Sequence, residues 1–180
     1  MRQSAVLAIV GLLAVTAFGQ AKKEQVTVRF GGAHCDECVA VLRQAVAKAK
    51  AFKLDPAAIK PGEARRFFSP LVPLTLLDAD KSNLGALAKI VAAAPTPHRQ
   101  EHPPRLYLTL FGEVDEPAVI ALRASLRDVP GISPDAPGSI GGFPNEGTFW
   151  VRLDGDGQAN LDDIRRGLKE GMAPASLKKP

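Results

Sequence analysis

Apolar residues recur at every second position in two short runs, Val26, Val28 and Phe30, and Leu106, Leu108 and Leu110. That period predicts strands with one face turned to a core. Elsewhere the period lengthens to that of a helix. Val39, Leu42 and Val46 fall on one helical face, as do Leu84, Leu87, Ala88 and Val91, and Leu161, Ile164 and Leu168. Further strands are predicted over Val72–Leu77 and Thr148–Leu153, with weaker candidates near Phe52 and over Ile132–Ile140. Pro73 blurs the start of the Val72 strand. The Pro- and Gly-rich stretches 55–71 and 133–147 read as loops, Gly138–Gly142 among them as a loop or hairpin.

These elements form an internal repeat. At an offset of 80, Val26, Val28 and Phe30 fall on Leu106, Leu108 and Leu110, and Leu42-Arg43 falls on Leu122-Arg123. The second halves match at an offset of 76 to 77, which aligns Leu77-Asp78-Ala79-Asp80 with Leu153-Asp154-Gly155-Asp156 and Asn83-Leu84 with Asn160-Leu161. Pro95, Pro97, Pro103 and Pro104 can neither continue a helix nor pair in a central strand, so 95–104 reads as a linker. The predicted units are 24–94 and 105–172. Each reads strand, helix, strand-rich region, helix, an α+β layering of helices on one face of a small antiparallel sheet.

The N-terminus adds a different signal. Arg2 precedes an apolar run from Ala5 to Phe18, and Ala17-Phe18-Gly19 offers small residues where a signal peptidase reads. Residues 1–20 are therefore expected to be a signal peptide, and the run is shorter than the ~20 residues a membrane span needs. The expected location is periplasmic or secreted, with no stable membrane span after cleavage. The formal charge is +4, and Lys and Arg occur in scattered pairs with one Trp and one Tyr. That pattern excludes a dense basic and aromatic nucleic-acid footprint.

The chemistry concentrates in Gly31-Gly32-Ala33-His34-Cys35-Asp36-Glu37-Cys38, which holds both cysteines of the chain. Two thiols three apart at the start of a helix can face one ion, and thiolates select soft or borderline metals over hard ones. The orphan N–H groups of a helix N-terminus favour thiolate. Asp36 and Glu37 oppose further negative charge but offset the charge of a divalent cation. Two thiolates alone suit Cu(I); joined by an imidazole such as His34 and a carboxylate, they suit Zn(II). The same pair also fits a thiol-disulfide oxidoreductase, or an inert cross-link in an interaction protein whose metal site is vestigial.

The strand Val26–Phe30, the turn Gly31–His34, Cys35-x-x-Cys38 opening a helix, and the stripe Val39, Leu42, Val46 together resemble the heavy-metal-associated domain. That family includes copper chaperones, mercury-binding periplasmic proteins and the N-termini of metal-pumping P-type ATPases. The resemblance covers 24–94, and 105–172 is similar to a degenerate copy without cysteines. It implies tandem ferredoxin-like (βαββαβ-type) sandwiches. It also implies Cys35 and Cys38 as metal ligands, with His34 beside them as a possible third, holding one soft or borderline ion (Cu, Zn, Hg or Cd, with Cu(I) and Zn(II) foremost). The implied role is trafficking or sequestration by binding and handover to a metal-transporting or metal-accepting protein, without enzymatic activity. Three features depart from the family pattern. Ala33 stands where Met is usual and His34 where Thr, Ser or Asp is usual, and no strand pattern follows the second helix of either unit.

Other candidates are plainer. His98 and His102 are spaced like paired ligands on a helix, but within the proline-bracketed linker they read as exposed loop positions, with an accessory metal contact as the alternative. The Leu-Asp-x-Asp segments lack the later ligands of a calcium loop. They read as strand ends leading to helices capped by Asn83 and Asn160. In the second unit Asp115 and Ala118 replace the cysteines, so no soft-metal site is expected there, and Asp115, Glu116 and Pro117 read as an ordinary helix start. No phosphate-binding glycine motif or nucleophile–base constellation is present.

Overall fold

The computed structural model describes residues 24–49, 52–62, 68–77, 83–171 and 175–177. The expected signal segment 1–20 and Asp78–Asp80 lie outside the described residues. Among the described residues six strands and four α-helices follow in chain order: β1 (Glu24–Gly31), α1 (Asp36–Ala47), β2 (Phe52–Lys53), β3 (Val72–Leu76), α2 (Leu84–Ala93), β4 (Arg105–Phe111), α3 (Glu116–Ser125), β5 (Ile140–Phe143), β6 (Thr148–Leu153) and α4 (Leu161–Glu170). The α+β class and the repeated order of elements agree with the sequence pattern.

The arrangement differs from two separate sandwiches. All six strands form one antiparallel sheet in the order β2-β3-β1-β4-β6-β5. The first strands of the two repeats lie side by side at its centre, with Val28 opposite Leu108 and Phe30 opposite Leu106. Val28 and Leu108 are equivalent at the offset of 80, so the register itself relates the halves by a local twofold. β4 lies beside β1 on the side away from β3, and β1 lies beside β4 on the side away from β6.

One core serves the whole sheet. Val26, Val28, Phe30, Val72, Leu74, Leu106, Leu108, Leu110, Phe149, Val151 and Leu153 share a face by register, and pack with the helix residues Leu42, Leu87, Val91, Leu122 and Ile164 in a single buried cluster. Burying a Leu- or Phe-sized side chain is worth roughly 1.5–3 kcal/mol, so the β1–β4 seam ties the halves together strongly. The halves also meet at Gly85, whose N–H bonds Ala159 O at 2.8 Å; a Cβ there would lie 2.5 Å from the Gly157 backbone.

The caps follow the expected chemistry. Asn83 accepts from the Ala86 N–H, Asn160 from the Asp162 N–H, and Asp115 from the Ala118 N–H. Pro73 lies in β3 opposite Thr27 of β1, outside the β2 pairing, which covers only Thr75 and Leu76. One boundary moves. The strand expected over Ile132–Ile140 lies at Ile140–Phe143 instead, inside the stretch read as loop. Its glycines hid it: a Cβ on Gly141 would sit 2.2 Å from the Trp150 ring, so this strand carries an indole across its surface where a side chain would be. β2 is only two residues long.

Candidate metal centre

The site grows from the end of β1. Gly31 passes against the Tyr107 ring, 2.7 Å from where a Cβ would be. Gly32 has φ +75°, a conformation that favours glycine. Its missing Cβ also makes room for the linker, because that atom would lie 2.9 Å from His102 O and 3.2 Å from the Pro104 backbone. Ala33 is buried, and its carbonyl accepts from the Gly62 N–H at 2.8 Å. The loop carrying the thiols is thus clamped on two sides.

Cys35 is the N-cap of α1, with extended backbone at φ −142°, ψ 164°. Its sulfur accepts from the Cys38 N–H at 3.4 Å, and its carbonyl accepts from the Val39 N–H at 3.0 Å. Asp115 does the same work for α3, where its carboxylate takes the Ala118 N–H at 2.7 Å. The repeat therefore places Cys35 and Asp115 in one structural role. A thiol in the first half replaces the carboxylate that the second half uses as a cap.

Cys35 is half-buried and Cys38 fully buried. Burial pushes the Cys38 thiol above its ordinary value; the contact with Cys35 and the charges of Cys35 and Glu37 add to this, and His98 opposes it. The helix N-terminus works in the opposite sense to burial, since its N–H groups favour thiolate. A cation arriving between the sulfurs would remove the cost of that charge.

His34 and His98 complete the group. Helix α2 packs on α1 and ends at Ala93, and the linker then folds into one helical turn, with the His102 N–H bonded to His98 O at 2.8 Å. That turn brings His98 Nδ1 to 3.5 Å from Cys38 Sγ and 3.8 Å from Cys35 Sγ. His34 Nδ1 lies 3.3 Å from Gly32 O; as the donor there it leaves Nε2 free as a ligand. Its ring meets those of His98 and His102 edge-on, at centroid separations of 4.7 and 4.8 Å. One donor atom from each of His34, Cys35, Cys38 and His98 lies within 4.8 Å of the other three, so the group could hold a metal ion.

The structure therefore brings together Cys35, Cys38 and His34, the three residues marked from the sequence. It adds His98, read above as an exposed loop position with a metal contact only as the alternative. His98 is exposed, but it stands over the thiols. The i, i+4 spacing to His102 was the available signal, and the prolines concealed the turn that uses it. His102 is outside the donor group and buttresses the His34 ring. Among the described residues no helix is long and apolar enough to cross a membrane. No protein-family model matches the chain, and a search among curated proteins finds no match.

Proposed function

We propose that this chain is an exported metal-binding protein that holds one soft or borderline ion at Cys35 and Cys38, with His34 and His98 beside them, for trafficking or sequestration. The convergence of four N and S donors within 4.8 Å carries this reading. It accords with the resemblance of 24–94 to the heavy-metal-associated domain, with 105–172 as a degenerate partner unit that completes the sheet. Export rests on the N-terminal signal pattern. The role is binding and handover, without catalysis. Exposed His98 and half-buried Cys35 are the ligands an accepting protein reaches first, and buried Cys38 is the last to let go.

Native mass spectrometry of the reduced mature protein, titrated with Cu(I), Zn(II) and Hg(II), tests the reading. One tightly bound ion, lost in Cys35→Ser/Cys38→Ser, is the expected result. No retained ion, or binding unchanged in the double variant, overturns it.

One observation favours a second reading, a thiol-disulfide oxidoreductase: the first cysteine of the pair is accessible and the second buried, as a nucleophile and its resolving thiol require. Asp36 and Glu37 in the first turn count against it, because they disfavour a reactive thiolate. Catalysed reduction of insulin by the metal-free protein would establish this reading in place of the first.

A further inference from the structure

Resting on the metal-binding reading above, we infer that His98 makes this centre a closed tetrahedral site for divalent ions of the Zn(II) class, and so decides its preference over Cu(I). The argument is geometric. Zn–S bonds of about 2.3 Å and Zn–N bonds of about 2.0–2.1 Å put a tetrahedral S···N edge near 3.6 Å. His98 Nδ1 stands 3.5 and 3.8 Å from the two sulfurs, already at that spacing. His34 supplies the fourth donor, within 4.8 Å of the other three, and its Nδ1 lies 3.3 Å from Gly32 O, a contact that, with Nδ1 as donor, leaves Nε2 for an ion. Two thiolates and two imidazoles satisfy a tetrahedral d¹⁰ dication completely. Cu(I) is content with the two sulfurs in near-linear geometry and gains little from a third and fourth donor.

His98 also comes from a separate part of the chain, 60 residues beyond Cys38. The linker between the repeats therefore contributes to metal choice, and the selectivity does not reside in the Cys-x-x-Cys segment alone.

The test compares the full mature chain with His98→Ala and His98→Asp. Zn(II) and Cu(I) affinities are measured by competition with chromophoric chelators, and the Co(II)-loaded proteins are examined by absorption spectroscopy. For His98→Ala the Zn(II) affinity falls roughly 100-fold, if a four-ligand site shares its binding energy about equally, whereas the Cu(I) affinity changes by less than about 3-fold. The intense tetrahedral Co(II) bands of the native chain weaken with it. His98→Asp, which restores a hard donor suited to Zn(II), recovers most of the loss. His98 is exposed, so unchanged thermal unfolding of the metal-free variants excludes misfolding as the cause. Equal losses for both ions, or no loss for either, while binding still requires the cysteines, overturn the role of His98 alone. Binding that ignores Cys35→Ser/Cys38→Ser overturns the underlying reading instead.

Discussion

Cys38 Sγ and His98 Nδ1 lie 3.5 Å apart, although 60 residues separate them in the chain. One comes from the first turn of α1, the other from a proline-bracketed turn between the repeats. The contact needs the loop and the linker to be seated against each other, and Gly32 is where they meet.

Gly32→Ala tests that seating. The new Cβ meets His102 O at 2.9 Å, in a backbone conformation with φ +75°. A cost of about 1–3 kcal/mol is expected from the strained backbone alone. Denaturant unfolding of the metal-free protein reads that loss. Because the linker must shift, Zn(II) affinity falls as well, beyond any effect of Gly32 on the thiols. Unchanged affinity in a destabilised variant would show that the linker does not position a ligand.

The equivalence of Cys35 and Asp115 yields a cleaner knock-out than serine. Cys35→Asp supplies the cap that α3 already uses at the same place. Stability of the metal-free protein stays within about 1 kcal/mol of native, the usual scale of a cap, while Cu(I) binding, which needs both thiolates, is lost and Zn(II), for which a carboxylate can serve as a ligand, is only weakened. Thermal unfolding and a Cu(I) titration of the same sample check both halves of the prediction.

Metal binding is expected to weaken as pH falls. The ion needs thiolates, and burial holds the Cys38 thiol above its ordinary value, so loading releases protons. Zn(II) affinity measured from about pH 8 down to pH 6 falls by up to about 100-fold per pH unit while both thiols must ionise. For the metal-free protein the sign reverses at high pH. A folded-state pKa above the unfolded one makes neutral Cys38 a source of stability below the unfolded pKa, lost as pH rises through the folded value. Alkaline destabilisation of the metal-free chain, reduced in Cys38→Ser, is the corresponding observation.

The shared sheet predicts one cooperative unfolding transition. β1 and β4 pair at its centre and one core runs beneath both halves. Calorimetry of the metal-free protein is expected to give a single peak whose van't Hoff and calorimetric enthalpies agree. Gly85→Ala, which drives a Cβ into the Gly157–Ala159 backbone, lowers that single midpoint. Two separable peaks would contradict the sheet's unity.

The sequence disclosed what depends on local period and local chemistry. Alternation at Val26–Phe30 and Leu106–Leu110, the helical stripes, the caps at Asn83 and Asn160 and the helix start at Asp115–Pro117 were all legible because each is decided within a few residues. What was not legible is relational. Nothing in β1 or β4 alone says that they pair with each other. Gly141 and Gly142 disguised β5 because the contact that makes it a strand belongs to Trp150. His34, Cys35 and Cys38 were visible as one local motif. His98 was not, because its approach depends on how α2 and the linker fold back over α1.

The most direct test of the central claim is zinc K-edge X-ray absorption on the protein loaded with one Zn(II). The account predicts a mixed shell, two sulfurs near 2.3 Å and nitrogens near 2.0–2.1 Å, with the sulfur scattering gone in Cys35→Ser/Cys38→Ser. A shell of light atoms only, in the native chain, would contradict it.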